Sequence, residues 1–70
     1  IELVEVPYSS RVMARTVAEA EALDDFKVIS VTRDGNTTLA KPGDVLAEGD
    51  RLMLALHISD LPRLKAIFHR

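Results

Sequence analysis

The chain has 70 residues, a net charge of −2 and a hydrophobic content of 47%, which suit one small folded domain spanning residues 1–70. It contains no cysteine, which excludes disulfides and thiolate metal sites, and no apolar run long enough to cross a membrane. Basic and acidic residues are spread without a basic block, so we expect no nucleic-acid partner. Because a core this small is marginal alone, we expect extra burial from a second copy or a longer parent protein. The start at Ile1 rather than Met also indicates a longer parent.

The first two predicted elements are a strand and a helix. Residues 1–7 (IELVEVP) alternate as a short strand that ends at Pro7. After a connector of small polar residues, the segment TVAEAEAL predicts a helix over residues 16–23. Thr16 and Glu19 have the spacing of a capping box, in which a hydroxyl and a carboxylate each accept a bond from a backbone N–H.

A hairpin is predicted next. Residues 26–33 (FKVISVTR) are rich in β-branched residues and apolar on both faces, which favours a central strand. Asp34-Gly35-Asn36 tolerates positive φ and predicts a tight turn, followed by the short return strand TTLA. Residues 41–50 (KPGDVLAEGD) then form a turn region.

Residues 51–58 (RLMLALHI) predict the last strand, whose two faces differ. One alternating set is fully apolar and is assigned to the core: Leu52, Leu54, Leu56 and Ile58. The other set is half-apolar, as a covered face or a subunit contact would be, and its candidate dimer-interface residues are Met53, Ala55 and His57.

The closing segment SDLPRLKAIF predicts a second helix with one apolar stripe. The element order is therefore β-α-β-β-β-α. We expect an α+β fold with a small, mostly antiparallel sheet, helices packed on that sheet, and dimerisation.

The stretch PGDVLAEGD contains two Gly-Asp pairs that allow two interpretations. Asp44, Glu48 and Asp50 could form a loose cation site, although their spacing does not match an EF-hand loop. Alternatively, Gly43 and Gly49 provide turn geometry, the aspartates accept bonds from nearby backbone N–H groups, and Val45 and Leu46 tuck under the sheet. The second interpretation is the stronger one.

Other candidate chemistry is sparse. Arg11 and Arg15 flank the loop before the first helix and, with Thr16 at its start, are candidate ligand-binding residues for an anion or phosphate. No nucleophile elbow, nucleotide-binding glycine motif or metal-ligand spacing occurs, so we predict no catalytic residues, no metal and no cofactor. We expect a protein that is not an enzyme.

In order and spacing, the chain resembles the TrkA-C domain, the C-terminal lobe of RCK modules (regulators of potassium conductance). The matching motifs are ARTVAE, the strand end RDG, Pro42 followed by VLAEGDRLMLAL, and the closing DLPRLKAIF. The resemblance implies a cytoplasmic, ligand-sensing homodimer module. Such modules belong to a potassium channel, a potassium-uptake system or a related cation transporter in the membrane.

Two departures from the family pattern bear on the ligand. Ala14 stands where family members usually have Gly. Leu23-Asp24-Asp25 occupies a short helix-to-strand segment where members that bind cyclic di-AMP tend to carry an Arg. Because the acidic pair would repel a diphosphate, we do not expect cyclic di-AMP to be the ligand.

One alternative is a β-grasp binding module of the TGS or sulfur-carrier type, which also has a Gly-Asp pair before its last strand. A sulfur carrier needs a C-terminal Gly-Gly, whereas this sequence ends in IFHR. A TGS domain would lack the second predicted helix.

Overall fold

The computed structural model describes residues 1–68, which form one antiparallel sheet and two α-helices. The strands are β1 (Glu2–Pro7), β2 (Phe26–Arg33), β3 (Asn36–Leu39) and β4 (Arg51–Leu56), and the helices are α1 (Val17–Glu21) and α2 (Leu61–Phe68). A 3-10 turn, Ile58–Asp60, precedes α2. The strand order across the sheet is β1-β4-β2-β3. The predicted α+β class and the predicted order of elements are confirmed.

One face of the sheet carries the hydrophobic core. Its centre is β4, which pairs with both β1 and β2, and whose Leu52 and Leu54 have no exposed surface. From α2, Leu64 and Phe68 are buried in the same cluster, and the ring of Phe68 meets that of Phe26 edge to face, 5.8 Å between centroids. Each such side chain contributes about 1.5–3 kcal/mol when fully buried. The predicted core face of the last strand is therefore confirmed for Leu52, Leu54 and Leu56.

The β2–β3 hairpin and the start of α1 form as their sequences predict. Asp34 and Gly35 have φ of 51° and 79°, the positive values that a two-residue hairpin turn requires. At α1, the Thr16 hydroxyl accepts from the Glu19 N–H at 3.2 Å, and the Glu19 carboxylate accepts from the Thr16 N–H at 3.2 Å. Both halves of the predicted capping box are therefore present.

The connector after β1 is part of the core and not merely a polar linker. Tyr8, Val12 and Ala14 are buried there, and the Tyr8 hydroxyl donates to the Ala14 carbonyl at 2.8 Å. This hydrogen bond joins the two ends of the connector, and it gives the hydroxyl of a buried aromatic ring a partner. Ala14, which stands where members of the resembling family usually have Gly, is therefore a buried residue of the core.

Two apolar residues that the sequence predicts to be buried are exposed, and so is Leu23, the last residue of the predicted first helix. Ile58 is 59% exposed, because the chain leaves β4 after Leu56 and enters the 3-10 turn, which ends the strand alternation. Val45 is 67% exposed, because an isolated bridge to Thr16 directs alternate residues to opposite sides and only Leu46 is buried. Leu23 lies beyond the end of α1, which stops at Glu21, and is 38% exposed.

Candidate functional site

The face of the sheet opposite the core, called here the outer face, is defined by the strand register. A row of partners runs across all four strands: Glu5 pairs with Met53, Met53 with Ser30, and Ser30 with Leu39. The neighbouring row places Leu3 opposite Ala55. Because alternate residues point to opposite sides of a strand, these residues lie away from Leu52 and Leu54.

The outer face carries exposed apolar side chains. Leu3 and Leu39 are 64% and 76% exposed, while Met53 and Ala55 are half-buried. A bulge between Val28 and Ser30 adds Ile29, which is 38% exposed. Apolar surface of this kind on a small domain is typical of a protein contact.

The three predicted interface residues do not all lie on this face. Met53 and Ala55 share it, but β4 ends at Leu56, so His57 is an exposed residue of the following turn. Its backbone carbonyl accepts from the Asp60 N–H at 2.9 Å. Sequence reasoning missed Leu3, Ile29 and Leu39, whose shared face becomes apparent only from the strand register.

The three carboxylates of the possible cation site have three different partners. Asp44 accepts from the Lys41 N–H at 2.9 Å, and Glu48 accepts from the Ser10 N–H at 2.6 Å. Asp50 is buried and accepts from the Ala47 N–H and from Arg33. Within residues 1–68, no group of three or more His, Cys, Asp or Glu side chains is placed to hold a metal ion.

Arg33 and Asp50 form the best-defined ion pair. The Arg33 Nε and Nη2 donate to the two carboxylate oxygens of Asp50 at 2.8 and 2.6 Å, and Nη2 also donates to the Val45 carbonyl at 2.9 Å. These bonds hold the pKa of Asp50 below its ordinary value and raise that of Arg33. Charge-assisted, two-pronged bonding of this type fixes geometry as well as charge.

Beside this ion pair lies a groove of about 510 Å³, called here the hairpin groove. One wall is the core-side surface of the β2–β3 hairpin, and the other is the turn that contains Asp44 and Val45. The lining residues are Val31, Arg33, Asp34, Asn36, Thr38, Asp44 and Val45. Sequence reasoning did not find this groove, because its two walls come from separate segments of the chain that meet only in the fold.

The predicted anion-binding residues lie around a smaller groove of about 220 Å³. Arg15 lines it together with Tyr8, Ser10, Val12 and Met13, whereas Arg11 is exposed and is not part of the lining. The hydroxyl of Thr16 accepts the capping bond of α1. Of the three predicted residues, Arg15 is therefore the one that a ligand in this groove would meet.

The acidic segment between α1 and β2 is tied to α2. Arg63 donates to Asp24 through Nε at 2.9 Å and also bonds the carboxylate of Asp60. The hydrogen bond from Arg63 and that from the Asp25 N–H hold the pKa of Asp24 below its ordinary value. The segment thus carries two adjacent carboxylates, of which Asp24 is paired with Arg63.

The fold is that of a small α+β domain with one exposed apolar sheet face and two surface grooves. The sequence profile of the TrkA-C domain matches residues 1–69. The chain therefore belongs to the TrkA-C domain family, a family of regulatory domains. No curated protein sequence matches it significantly.

Solved structures share the fold at low sequence identity. The C domain of the regulator of conductance of K⁺ (RCK) from the potassium transport protein KtrA, in complex with cyclic di-AMP, superposes with a TM-score of 0.79. It is 20% identical, over 93% of this chain and 80% of that one. The RCK C-domain dimer of S. agalactiae BusR, also in complex with cyclic di-AMP, superposes with a TM-score of 0.77. It is 15% identical, and the match covers 99% of this chain and 97% of that one.

A longer BusR chain in complex with its busAB-promotor DNA gives a TM-score of 0.73 at 15% identity. The match covers 97% of this chain but 35% of that one. At these identities the likeness concerns the fold. Together with the family match, it decides between the two classes predicted from sequence in favour of the RCK type and against the β-grasp alternative.

Proposed function

We propose that this chain is a ligand-sensing dimerisation module that regulates a cation transport system, with potassium as the favoured ion. The observation that carries the proposal is the TrkA-C match over nearly the whole chain, on a domain whose outer face is apolar and exposed. A domain of 70 residues gains stability when a second copy covers such a face. The module acts at the cytoplasmic side, where it reports ligand binding to a membrane-embedded transporter or channel.

The dimer contact is assigned to the outer face. Its apolar residues span all four strands, and the Arg51–Glu5 ion pair at 2.7 Å lies beside Met53 at the β1–β4 side. A two-fold contact through such a face would cover Leu3, Ile29 and Leu39 together. The dimeric BusR neighbour and the KtrA neighbour support pairing and a role in potassium transport, respectively.

The signalling ligand is assigned to the vicinity of Arg15. Arg15 has an exposed side chain at the mouth of the smaller groove, and its guanidinium suits an anion or a phosphate. The proposed role includes no catalysis, no cofactor and no nucleic-acid partner. Within residues 1–68 no helix has the length and apolarity to cross a bilayer.

Sedimentation velocity tests the dimer with two matched variants. Leu39→Lys places a charge on the outer face, and Ile58→Lys places the same charge at a comparably exposed site off that face. We expect the native chain and Ile58→Lys to sediment as dimers at high micromolar concentration, and Leu39→Lys to sediment as a monomer. A native chain that stays monomeric, or a Leu39→Lys variant that stays dimeric, contradicts the proposed interface.

A second measurement tests the link to transport. The coding sequence for residues 1–70 is deleted in frame in the host, and rubidium uptake is followed as a tracer for potassium. We expect uptake to lose its normal regulation, because the sensing module is gone. Unchanged uptake and unchanged regulation would show that the transport assignment is wrong while leaving the dimer result intact.

A further inference from the structure

Strand β2 contains a bulge that changes which of its residues face the core. Val28 and Ser30 pair with consecutive residues of β4, so Ile29 is an extra residue between them. Val28 is buried on the core side before the bulge, and Val31 is buried there after it. In unbroken alternation Ser30 would take the core position and Val31 would face outward. The bulge therefore places apolar side chains correctly on both sides of β2.

The backbone polar groups at the bulge are bonded by groups outside the strand ladder. Strand β3 pairs with residues 30–33 and does not reach Val28. The Val28 N–H donates instead to the Glu21 carboxylate at 2.8 Å, and the Ile29 carbonyl accepts from the Ala40 N–H at 3.0 Å. The bond to Glu21 is partly buried, so the loss of this carboxylate would leave the Val28 N–H poorly satisfied. Glu21 is the side chain that completes the bulge.

Glu21 is held in place by the helix that carries it. It is the last residue of α1, whose start is fixed by the Thr16 cap and by the bond from the Val17 N–H to the Asp44 carbonyl at 3.0 Å. Val17 and Ala20 bury the inner side of this short helix. None of the ion pairs formed by residues 1–68 includes Glu21. Its carboxylate is therefore presented to the bulge by a rigid element and is not shared with a charged side chain.

From these contacts we propose that Glu21 is a positioning residue of the dimer contact, because its carboxylate holds the β2 bulge in the form that presents Ile29 to the second copy. Ile29 is 38% exposed on the outer face, where Met53 lies in the neighbouring strand. Glu21 itself does not belong to that face and acts through the backbone of Val28. The inference rests on the proposed function, since the outer face is there assigned as the dimer contact.

Amide hydrogen exchange followed by NMR tests the hold on the bulge separately from pairing. The Leu39→Lys chain, which is expected to be monomeric, is compared with the same chain carrying Glu21→Ala or Glu21→Gln. We expect the Val28 amide to exchange at least about tenfold faster with Glu21→Ala, because its acceptor is lost. With Glu21→Gln the protection should be retained, because the side-chain amide oxygen still accepts. Equal protection of Val28 with and without Glu21→Ala would overturn the proposal.

Dimer affinity measured by sedimentation tests the consequence for pairing. We expect Glu21→Ala to raise the dimer Kd about tenfold and Glu21→Gln to leave it near the native value. Glu48→Ala is the matched control, because it removes another glutamate carboxylate that accepts from a backbone N–H, that of Ser10 at 2.6 Å, away from the outer face. Its dimer Kd should be unchanged. An equal rise in Glu48→Ala would show that general loosening of the domain weakens the dimer, and the positioning role would be refuted.

A double-mutant cycle shows whether Glu21 acts through Ile29. In an Ile29→Ala background, Glu21→Ala should change the dimer Kd little further, because the side chain that the bulge presents is already gone. Fully additive effects would contradict the proposed route. A native dimer whose Kd is the same in Glu21→Ala would refute this inference alone. A native chain that stays monomeric would refute the proposed interface, and with it the role of Glu21 in pairing, even where Val28 exchange shows that the carboxylate holds the bulge.

Discussion

Arg33 and Asp50, 17 residues apart in sequence, are joined by two hydrogen bonds of 2.8 and 2.6 Å. The pair connects the end of β2 to the turn that precedes β4, and the Ala47 N–H adds a third bond to the same carboxylate at 2.9 Å. Asp50 is 1% exposed, so it depends on these donors in place of water. The aspartate of the second Gly-Asp pair therefore has a structural role, because it joins the end of β2 to the turn before β4.

Replacing Asp50 should destabilise the domain markedly. Asp50→Ala leaves the Ala47 N–H unbonded and Arg33 without its partner, and we expect a loss of about 2–3 kcal/mol in the free energy of unfolding. Urea denaturation measures this. Glu5→Ala, which breaks the exposed pair with Arg51, is the control and should cost no more than about 1 kcal/mol. Equal losses in the two variants would contradict the role given to Asp50.

Acid should weaken the fold below about pH 4. The pKa values of Asp50 and Asp24 both lie below the ordinary value of 3.8, chiefly because Arg33 and Arg63 donate hydrogen bonds to them. A carboxyl with a depressed folded-state pKa stabilises the fold fully above its unfolded pKa, and this stabilisation is lost as the pH falls through the folded value. Unfolding free energies measured from pH 6 to pH 2 should show the decline, and Asp24→Asn with Asp50→Asn should flatten it. A decline as steep in the double variant as in the native chain would assign the acid sensitivity to other groups.

The two glycines of the Gly-Asp pairs should respond differently to alanine. Gly49 has φ of +91°, which an L-residue rarely adopts, whereas Gly43 does not have a positive φ, and a β-carbon there would meet no atom within 4 Å. We expect Gly49→Ala to lower the free energy of unfolding by about 1–2 kcal/mol. Gly43→Ala should change it by less than about 0.5 kcal/mol or raise it slightly. Thermal unfolding followed by circular dichroism compares the two, and a Gly43 variant that loses more would refute this assignment.

Cyclic di-AMP should bind weakly, although two of the three structural neighbours described above are in complex with it. Asp24 and Asp25 lie in the segment between α1 and β2, and their carboxylates repel the two phosphodiester groups of this ligand. Isothermal titration of the chain with cyclic di-AMP should give no micromolar binding. Asp24→Asn with Asp25→Lys should improve affinity if this repulsion is the obstacle. Micromolar binding by the native chain would show the expectation to be wrong.

Local signals in the sequence were enough for most elements. The β-branched run over residues 26–33 predicts β2 with the bounds that the structure has, since a strand of that composition between turn residues has few alternatives. Asp34-Gly35 and the pair Thr16 and Glu19 act through their immediate neighbours, and both form as predicted. In each case the interaction that determines the local structure joins residues only a few positions apart in the sequence.

The remaining features depend on contacts distant in sequence. Tyr8 is buried because the connector folds back, and Val45 is exposed because of its bridge to Thr16, neither of which alternation can indicate. The ion pair between Arg33 and Asp50 and the groove beside it are each formed by segments that lie apart in the sequence, so no local pattern predicts them. The outer face likewise follows from the register, which places Leu39 in line with Met53 across an intervening strand.

The position of β4 between β1 and β2 has a consequence for how the chain folds during synthesis. Before residues 51–56 leave the ribosome, β1 has no strand to pair with, and β2 has β3 alone. The nascent chain can thus form the short β2–β3 hairpin early, but the sheet and its core must wait for the last strand. We therefore expect folding in one late step, governed by contacts of long sequence separation, with the apolar segments of β1 and β2 exposed to chaperones until then.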